Sequence, residues 1–251
     1  MKSARVEQIV PIWVDLGLLS VAAAWIWGIC LEDVGTKLGT VAVSLTALYL
    51  GMHGRILVHE LGHLIAAKAV GLRQRKVQVG VGPLIWSRLF RNGLVFEWRM
   101  FPRGGWVLAL PVSDKDLRIR QLLFISAGPL MDGLLICVLF VGLTSISGSL
   151  TAAFDHGVAG IITFMLFWWT VISAVSGLIP HRVNTGGPKL WTDGYWLLLL
   201  CTASRLRIKE AIRGFDSTIA LEFLRSHSVP AMAIEAPSRR RFDASLSRRD
   251  L

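Results

Sequence analysis

The chain has 251 residues, of which 53% are hydrophobic, and a formal net charge of +10. Its mean hydropathy is +0.55, whereas ordinary soluble domains carry about 45–50% apolar residues even with Gly counted. These values exclude an ordinary soluble domain. The three scattered cysteines, Cys30, Cys137 and Cys201, with no C-x-x-C, exclude a disulfide framework.

Residues 9–30 are nearly uncharged, Asp15 excepted, and are long enough to cross a hydrocarbon core of about 20 helical residues. Trp13, Trp25 and Trp27 fall near the two ends, where aromatic belts belong. No small-residue cleavage pattern follows, so the expectation is a retained membrane helix. A short acidic turn with Glu32 and Asp33 comes next.

The second apolar run, residues 38–70, carries His59-Glu60-Leu61-Gly62-His63, an H-E-x-x-H. On a helix the two histidines project from one face, and two neutral imidazoles at that spacing supply half of a tetrahedral zinc site. Glu60 beside them has the chemistry to take a proton from a water activated there. His53 lies off that face and is expected to pack or to support the site from behind. Charged groups in a membrane helix mark function by default.

Residues 71–120 change character, with a cluster of Arg and Lys running from Arg73 to Arg120. The positive-inside rule places this segment in the cytoplasm. A membrane-apposed loop accounts for the charge, so no nucleic-acid partner is expected. Alternating stretches on either side of Asn92-Gly93 predict a β-hairpin over about 77–110, held near the membrane surface.

The third run, 121–146, opens with Ala127-Gly128-Pro129 and Asp132, a small-residue patch with one carboxylate that predicts close helix approach and a polar contact. Residues 147–157 form a short outer loop, and 158–179 are the fourth run. The stretch from His181 to Leu190 holds Pro188 and two adjacent glycines and cannot be continuous helix. The apolar run after Trp191-Thr192-Asp193-Gly194 is too short to span, so a broken or re-entrant segment is expected with Asp193 at the break. Residues 204–227 carry a helical apolar stripe, and 228–251, with Arg239-Arg240-Arg241, read as a basic tail.

The fold class is therefore an α-helical integral membrane protein with about four crossings, one broken segment and a small membrane-associated β-hairpin. A membrane-embedded domain is expected over 1–203 and a cytoplasmic extension over 204–251. Four crossings put both termini in the cytoplasm, with the lipid bilayer as the surrounding medium. A catalytic zinc needs a third protein ligand. Asp132, Asp193, His53 and His181 qualify by chemistry, and Asp193 is favoured because a helix break can aim it inward.

Four separated motifs, in order, resemble the site-2 protease family of intramembrane zinc metalloproteases. They are His59-Glu60-Leu61-Gly62-His63, and Val79-Gly80-Val81-Gly82-Pro83 with Pro102-Arg103-Gly104-Gly105-Trp106-Val107. They continue with Ala127-Gly128-Pro129 and Asp132, and with Gly177-Leu178-Ile179-Pro180 and Thr192-Asp193-Gly194. The resemblance implies Zn2+ held by His59, His63 and Asp193, with Glu60 as the base. It implies cleavage of a transmembrane or membrane-proximal segment of a membrane-protein substrate, in a bacterial cytoplasmic membrane. Gly104, Gly105, Gly128, Pro129 and Asp132 fall in motifs expected to touch substrate or support the ligands.

Three departures stand out. Gly177 occupies the place of the family's Asn before L-L-P, and Asn184 is the candidate replacement. Asp132 replaces an Asn, and the segment between Pro180 and Asp193 is longer than in the commonest members. No PDZ domain fits in 147–157. The alternative reading is an inactive member that binds a membrane-protein partner around a purely structural zinc. Oligomeric state is outside what the sequence specifies.

Overall fold

The computed structural model describes residues 34–113, 115–147, 157–184, 189–204, 206–212 and 214. The chain divides into two units, Met1–Lys209 and Glu210–Leu251, and the architecture below belongs to the first. The expected crossing at 9–30 and the basic tail at 228–251 lie outside the described residues. Of the expected 204–227 helix, residues 206–212 are described and helical.

The elements run α1 (Val34–Ala69), β1 (Leu72–Leu89), β2 (Val95–Pro111), α2 (Leu117–Ser147), α3 (Gly157–Leu178), β3 (Arg182–Asn184), β4 (Lys189–Trp191) and α4 (Asp193–Thr202). Three stretches are long and apolar enough to cross a membrane: Gly39–Ala69, Leu117–Ser145 and Gly157–Leu178. They correspond to the second, third and fourth apolar runs. Their outer faces carry exposed Leu130, Leu134, Val138 and Val141 on α2 and exposed Ile172 and Val175 on α3. Large apolar side chains pointing outward on membrane-length apolar helices suit a hydrocarbon surround.

Small residues set how the helices meet. A Cβ on Gly62 of α1 would stand 2.5 Å from the Ala127 carbonyl oxygen and 2.6 Å from Met131 Cγ of α2. Only a bare Cα lets these two backbones approach so closely, the packing that small residues permit in membranes. Gly51 of α1 likewise faces Leu166 of α3. Between α2 and α3, Leu143 and Phe167 are buried among Ile136, Leu139, Phe164 and Val171.

The expected small antiparallel hairpin is present, with strands longer than the turn alone requires. An 18-residue strand such as β1 would be about 60 Å long if straight, twice the hydrocarbon thickness. Instead both long strands fold back on themselves. Gly80 (φ +85°) and Gly82 (φ +83°) reverse β1, and a Cβ on Gly80 would meet the Arg99 carbonyl at 2.6 Å. Leu72–Val79 pairs antiparallel with Gly105–Pro111, while Leu84–Leu89 pairs with Val95–Arg99. Lys76–Val79 also stands beside Val95–Trp98, through Lys76↔Val95 and Val79↔Trp98. The expected Asn92-Gly93 turn is present: the Phe90 N–H donates to the Leu94 carbonyl at 2.8 Å, and Asn92 Oδ1 accepts from the Leu94 N–H.

The folded-back sheet lies along α1 rather than beyond its end. Gln74 Nε2 donates to the Leu64 carbonyl, and Tyr49 Oη donates to the Met100 carbonyl at 2.8 Å. Leu64 and Tyr49 are fifteen residues apart on α1, about 22 Å at the helical rise. Between them His53, fully buried, bonds the Arg99 carbonyl at 2.9 Å and stacks on Trp98. Ladder pairing satisfies the backbone groups that face one another between strands, and among the described residues it leaves the outer edge of Gly105–Leu110 open.

A buried charge cluster holds the sheet's middle. Lys76 Nζ lies 2.5 Å from Glu97 Oε1, Arg99 Nη2 lies 2.8 Å from Glu97 Oε2, and Lys76 also sits over the Trp106 ring. Burial by itself raises the Glu97 carboxyl. The bonds and charges of Lys76 and Arg99 outweigh it and hold the group below its ordinary value. A depressed folded-state value adds stability above the unfolded-state value of about 4.3, and that stability is lost as pH falls through the folded-state value. Glu97→Gln is therefore expected to lose about 1–3 kcal/mol at neutral pH. It should also lose less than wild type on further acidification below about pH 4.3, as followed by thermal melts in detergent.

Candidate metal centre

His59, Glu60 and His63 come from the middle of α1, where the helix is packed against α2 on one side and the sheet on the other. The carboxylate that completes the site comes from the start of α4, and the chain fixes that start firmly. Thr192 Oγ1 donates to the Ile179 carbonyl at 2.8 Å and accepts from the His181 N–H, while the Thr192 N–H donates to the His181 carbonyl. Gly194 follows, and a Cβ there would run into the Leu178 carbonyl. At the far end of α4, Arg118 of α2 donates to the carbonyls of Leu200, Cys201 and Ala203. Cationic capping of the last carbonyls is favourable at a helix C-terminus. α4 is thus tied at both ends, and Asp193, its first residue, has little freedom.

His59 Nε2, His63 Nε2 and Asp193 Oδ2 converge. The separations are 3.2 Å between the two imidazole nitrogens, 3.1 Å from His59 to Asp193 and 3.4 Å from His63 to Asp193. Among the described residues this is the one group of three His, Cys, Asp or Glu side chains placed to hold a metal.

The outer nitrogens decide the tautomers. His63 Nδ1 donates to the Phe124 carbonyl at 2.8 Å, and His59 Nδ1 donates to Asp132 Oδ2 at 2.8 Å. A carbonyl and a carboxylate only accept, so the single proton of each neutral ring sits on Nδ1 and leaves Nε2 bare. Three lone-pair atoms then face one another at close range, an arrangement that repels unless a cation stands among them. Ligands about 2.0–2.1 Å from a tetrahedral zinc lie about 3.3 Å from each other, which matches the separations found. The donor set, two imidazoles and one carboxylate, is also one that zinc accepts.

Glu60 is buried, and its Oε2 has no hydrogen-bond partner among the described residues. The sheet closes over it: a Cβ on Gly105 would stand 2.7 Å from Glu60 Oε1. Gly128 does the same for the histidines, since a Cβ there would collide with His63 Nε2 and come within 2.7 Å of His59 Nε2. Pro129, next in the helix, cannot donate to the carbonyl one turn back, and α2 continues through it.

The remaining sequence candidates fall as follows. Asp132 is buried behind His59 and touches it through the outer nitrogen, away from the convergence point. Gly104 has open space around its Cα. Gly177 likewise has nothing within 4 Å of a built Cβ. Asn184 lies in β3, and its side chain is outside the described set. His53 ties α1 to the sheet, and exposed His181 bonds the Ile179 carbonyl locally, so neither joins the cluster. Sequence reasoning assigned Arg55 no role. It lies four residues before His59, on the same face, with Nη1 3.7 Å from Asp132 Oδ1. An arginine inside an apolar run was the signal available.

The family model that matches this chain is Peptidase family M50, over residues 47–228. The chain belongs to peptidase family M50. M50 members are zinc-dependent, and relatives carry corresponding names. A Clostridium perfringens protein named as a zinc metalloprotease is 34% identical over 102 residues, covering 37% of this chain and 30% of that protein. A Chlamydia trachomatis protein named as a zinc metalloprotease is 32% identical over 133 residues, covering 45% of this chain and 21% of its own length. The regulator of sigma E protease of Haemophilus influenzae is 34% identical over 78 residues, covering 31% of this chain and 18% of that protein. The chain thus spans less than a third of the length of the curated relatives it matches.

Within this M50 site, Gly128 and Gly133 of α2 form a matched pair, because Gly133 has nothing within 4 Å of a built Cβ. Gly128→Ala is expected to abolish zinc retention while Gly133→Ala leaves it at the wild-type level, measured by metal analysis of detergent-purified protein.

Proposed function

We propose that this chain is a multi-pass membrane zinc endopeptidase that cuts a transmembrane or membrane-proximal segment of another membrane protein, as in regulated intramembrane proteolysis. One observation carries the reading. Three bare acceptor atoms converge inside an apolar helical bundle, beside a buried carboxylate whose Oε2 has no hydrogen-bond partner among the described residues. A purely structural zinc would have no use for that carboxylate.

His59, His63 and Asp193 would hold the metal. When bound there, zinc supplies a Lewis acid that polarises a peptide carbonyl and acidifies water. Glu60, through its unpartnered Oε2, takes the proton of the attacking water and passes it to the leaving amine. Asp132 and the Phe124 carbonyl hold the two imidazoles in the tautomer that leaves Nε2 bare. Apolar helix faces limit bulk water around the carboxylate.

The sheet supplies the substrate rail. Among the described residues Gly105–Leu110 is paired on one edge only, and Gly105 stands against Glu60. An unwound substrate segment adding to the open edge would pass its scissile bond near the base, and strand addition holds a peptide extended through main-chain bonds. Open space at Gly104 supports passage there. The Arg and Lys cluster from Arg73 to Arg120 supports a cytoplasmic place for that segment and, with four crossings, cytoplasmic termini; the membrane in this reading is a bacterial cytoplasmic one. Residues 1–203 form the protease domain in this reading, and 204–251 a cytoplasmic extension.

The test separates binding from chemistry. Glu60→Gln is expected to keep about one zinc per chain. Its cleavage of transmembrane segments reconstituted in vesicles should fall by roughly 10²–10⁴-fold. His59→Ala and Asp193→Ala are expected to lose both zinc and cleavage. Cleavage at the wild-type rate by Glu60→Gln would overturn the mechanism.

A further inference from the structure

Arg55 is four-fifths or more buried in α1, at 11% side-chain exposure, and Asp132 facing it from α2 is at 3%. The contact between them is 3.7 Å, too long for a hydrogen bond, and both Arg55 Nε and Asp132 Oδ1 lack hydrogen-bond partners among the described residues. The pair is therefore held by charge. Asp132's other oxygen accepts from His59 Nδ1 at 2.8 Å. Arg55, Asp132 and His59 form a chain from a cation through an anion to the ring that faces the convergence point.

Counting charge around that point gives the chain a purpose. Glu60, Asp132 and Asp193 are three buried or half-buried carboxylates within one apolar bundle. A divalent cation among His59, His63 and Asp193 balances two of them, and Arg55 balances the third. Without Arg55 the loaded site keeps an uncompensated negative charge where screening is weak. Without Asp132, Arg55 is itself uncompensated and His59 loses the acceptor that fixes its tautomer.

We infer that Arg55 is a positioning residue, a built-in counter-ion that lets Asp132 serve as the anionic support of the metal ligand His59. This rests on the metal reading of the site. It predicts that the charge is needed in pairs: remove both charges, keep an acceptor for His59, and the site recovers.

The experiment measures zinc retention against a graded series of chelators in four detergent-purified proteins: wild type, Arg55→Leu, Asp132→Asn and the double variant. Each single change is expected to weaken zinc roughly 10–100-fold, the range for supporting residues of metal sites. The double variant, which keeps an amide oxygen for His59 Nδ1, is expected within about threefold of wild type. Arg55→Lys preserves the charge and should also stay close to wild type, because the contact is electrostatic and not a bidentate fork. A Co2+-loaded absorption spectrum, with a wild-type band pattern in the double variant, checks that the ligand set is unchanged.

Additive losses in the double variant overturn the inference, as does wild-type zinc affinity in Arg55→Leu alone. If a single variant does not survive purification, the double variant and Arg55→Lys still decide it, and failure of the double variant to hold zinc overturns it. Wild-type protein without zinc would overturn the metal reading itself. Wild-type zinc with a non-recovering double variant would overturn only the role of Arg55.

Discussion

Everything in this molecule follows from keeping ionisable groups at the depth of an apolar bundle. A charged side chain in the centre of a membrane helix costs about 2.5–3.5 kcal/mol even on permissive scales. α1 and α2 together carry Arg55, Glu60 and Asp132 within membrane-length apolar helices. Arg55 and Asp132 are tolerable because the two helices meet closely enough to let them face one another, and Glu60 is covered by the sheet at Gly105. Gly62 and Gly128 provide that closeness, the first by letting α1 reach the Ala127 backbone and the second by leaving room for both imidazoles.

The same constraint explains the sheet. Extended backbone alongside membrane-length helices must bond to itself, and the fold-back at Gly80 and Gly82 lets two long strands become several short paired ones. Packing the sheet on α1 through Tyr49, His53 and Gly105 closes the face of the helix that bears Glu60. The sheet's outer residues, Leu84, Ile85, Trp86 and Leu89, are exposed and apolar, which fits an apolar surround better than water. A single element thereby covers the carboxylate and leaves a strand edge open beside it.

Much of the site was legible before the structure. The i, i+4 spacing of His59 and His63 is a local property of a helix, and the helix was secure from its apolar length. Asp193 at a break before a short apolar run was legible as a residue that a fold could aim inward. The small-residue patch from Ala127 to Asp132 announced a close contact with a polar component, and that contact is present between α1 and α2. The packing of the sheet along α1 was not legible, because alternation reports which side chains share a face and not what that face packs on. The role of Arg55 was hidden for a similar reason: its partner lies 77 positions away.

The sequence by itself determined the medium, the three described apolar helices and the shared face of His59 and His63 on α1. These depend on length, hydropathy and helical period, all of which are local. Only the tertiary structure decided that His59 Nδ1 meets Asp132, that Phe124 offers its carbonyl to His63, and that Gly105 stands over Glu60. It also decided that Asp193, rather than Asp132, His53 or His181, shares the convergence point. Each of those outcomes turns on the crossing of one element with another to within a few tenths of an ångström, and no periodicity along a single strand or helix carries that information.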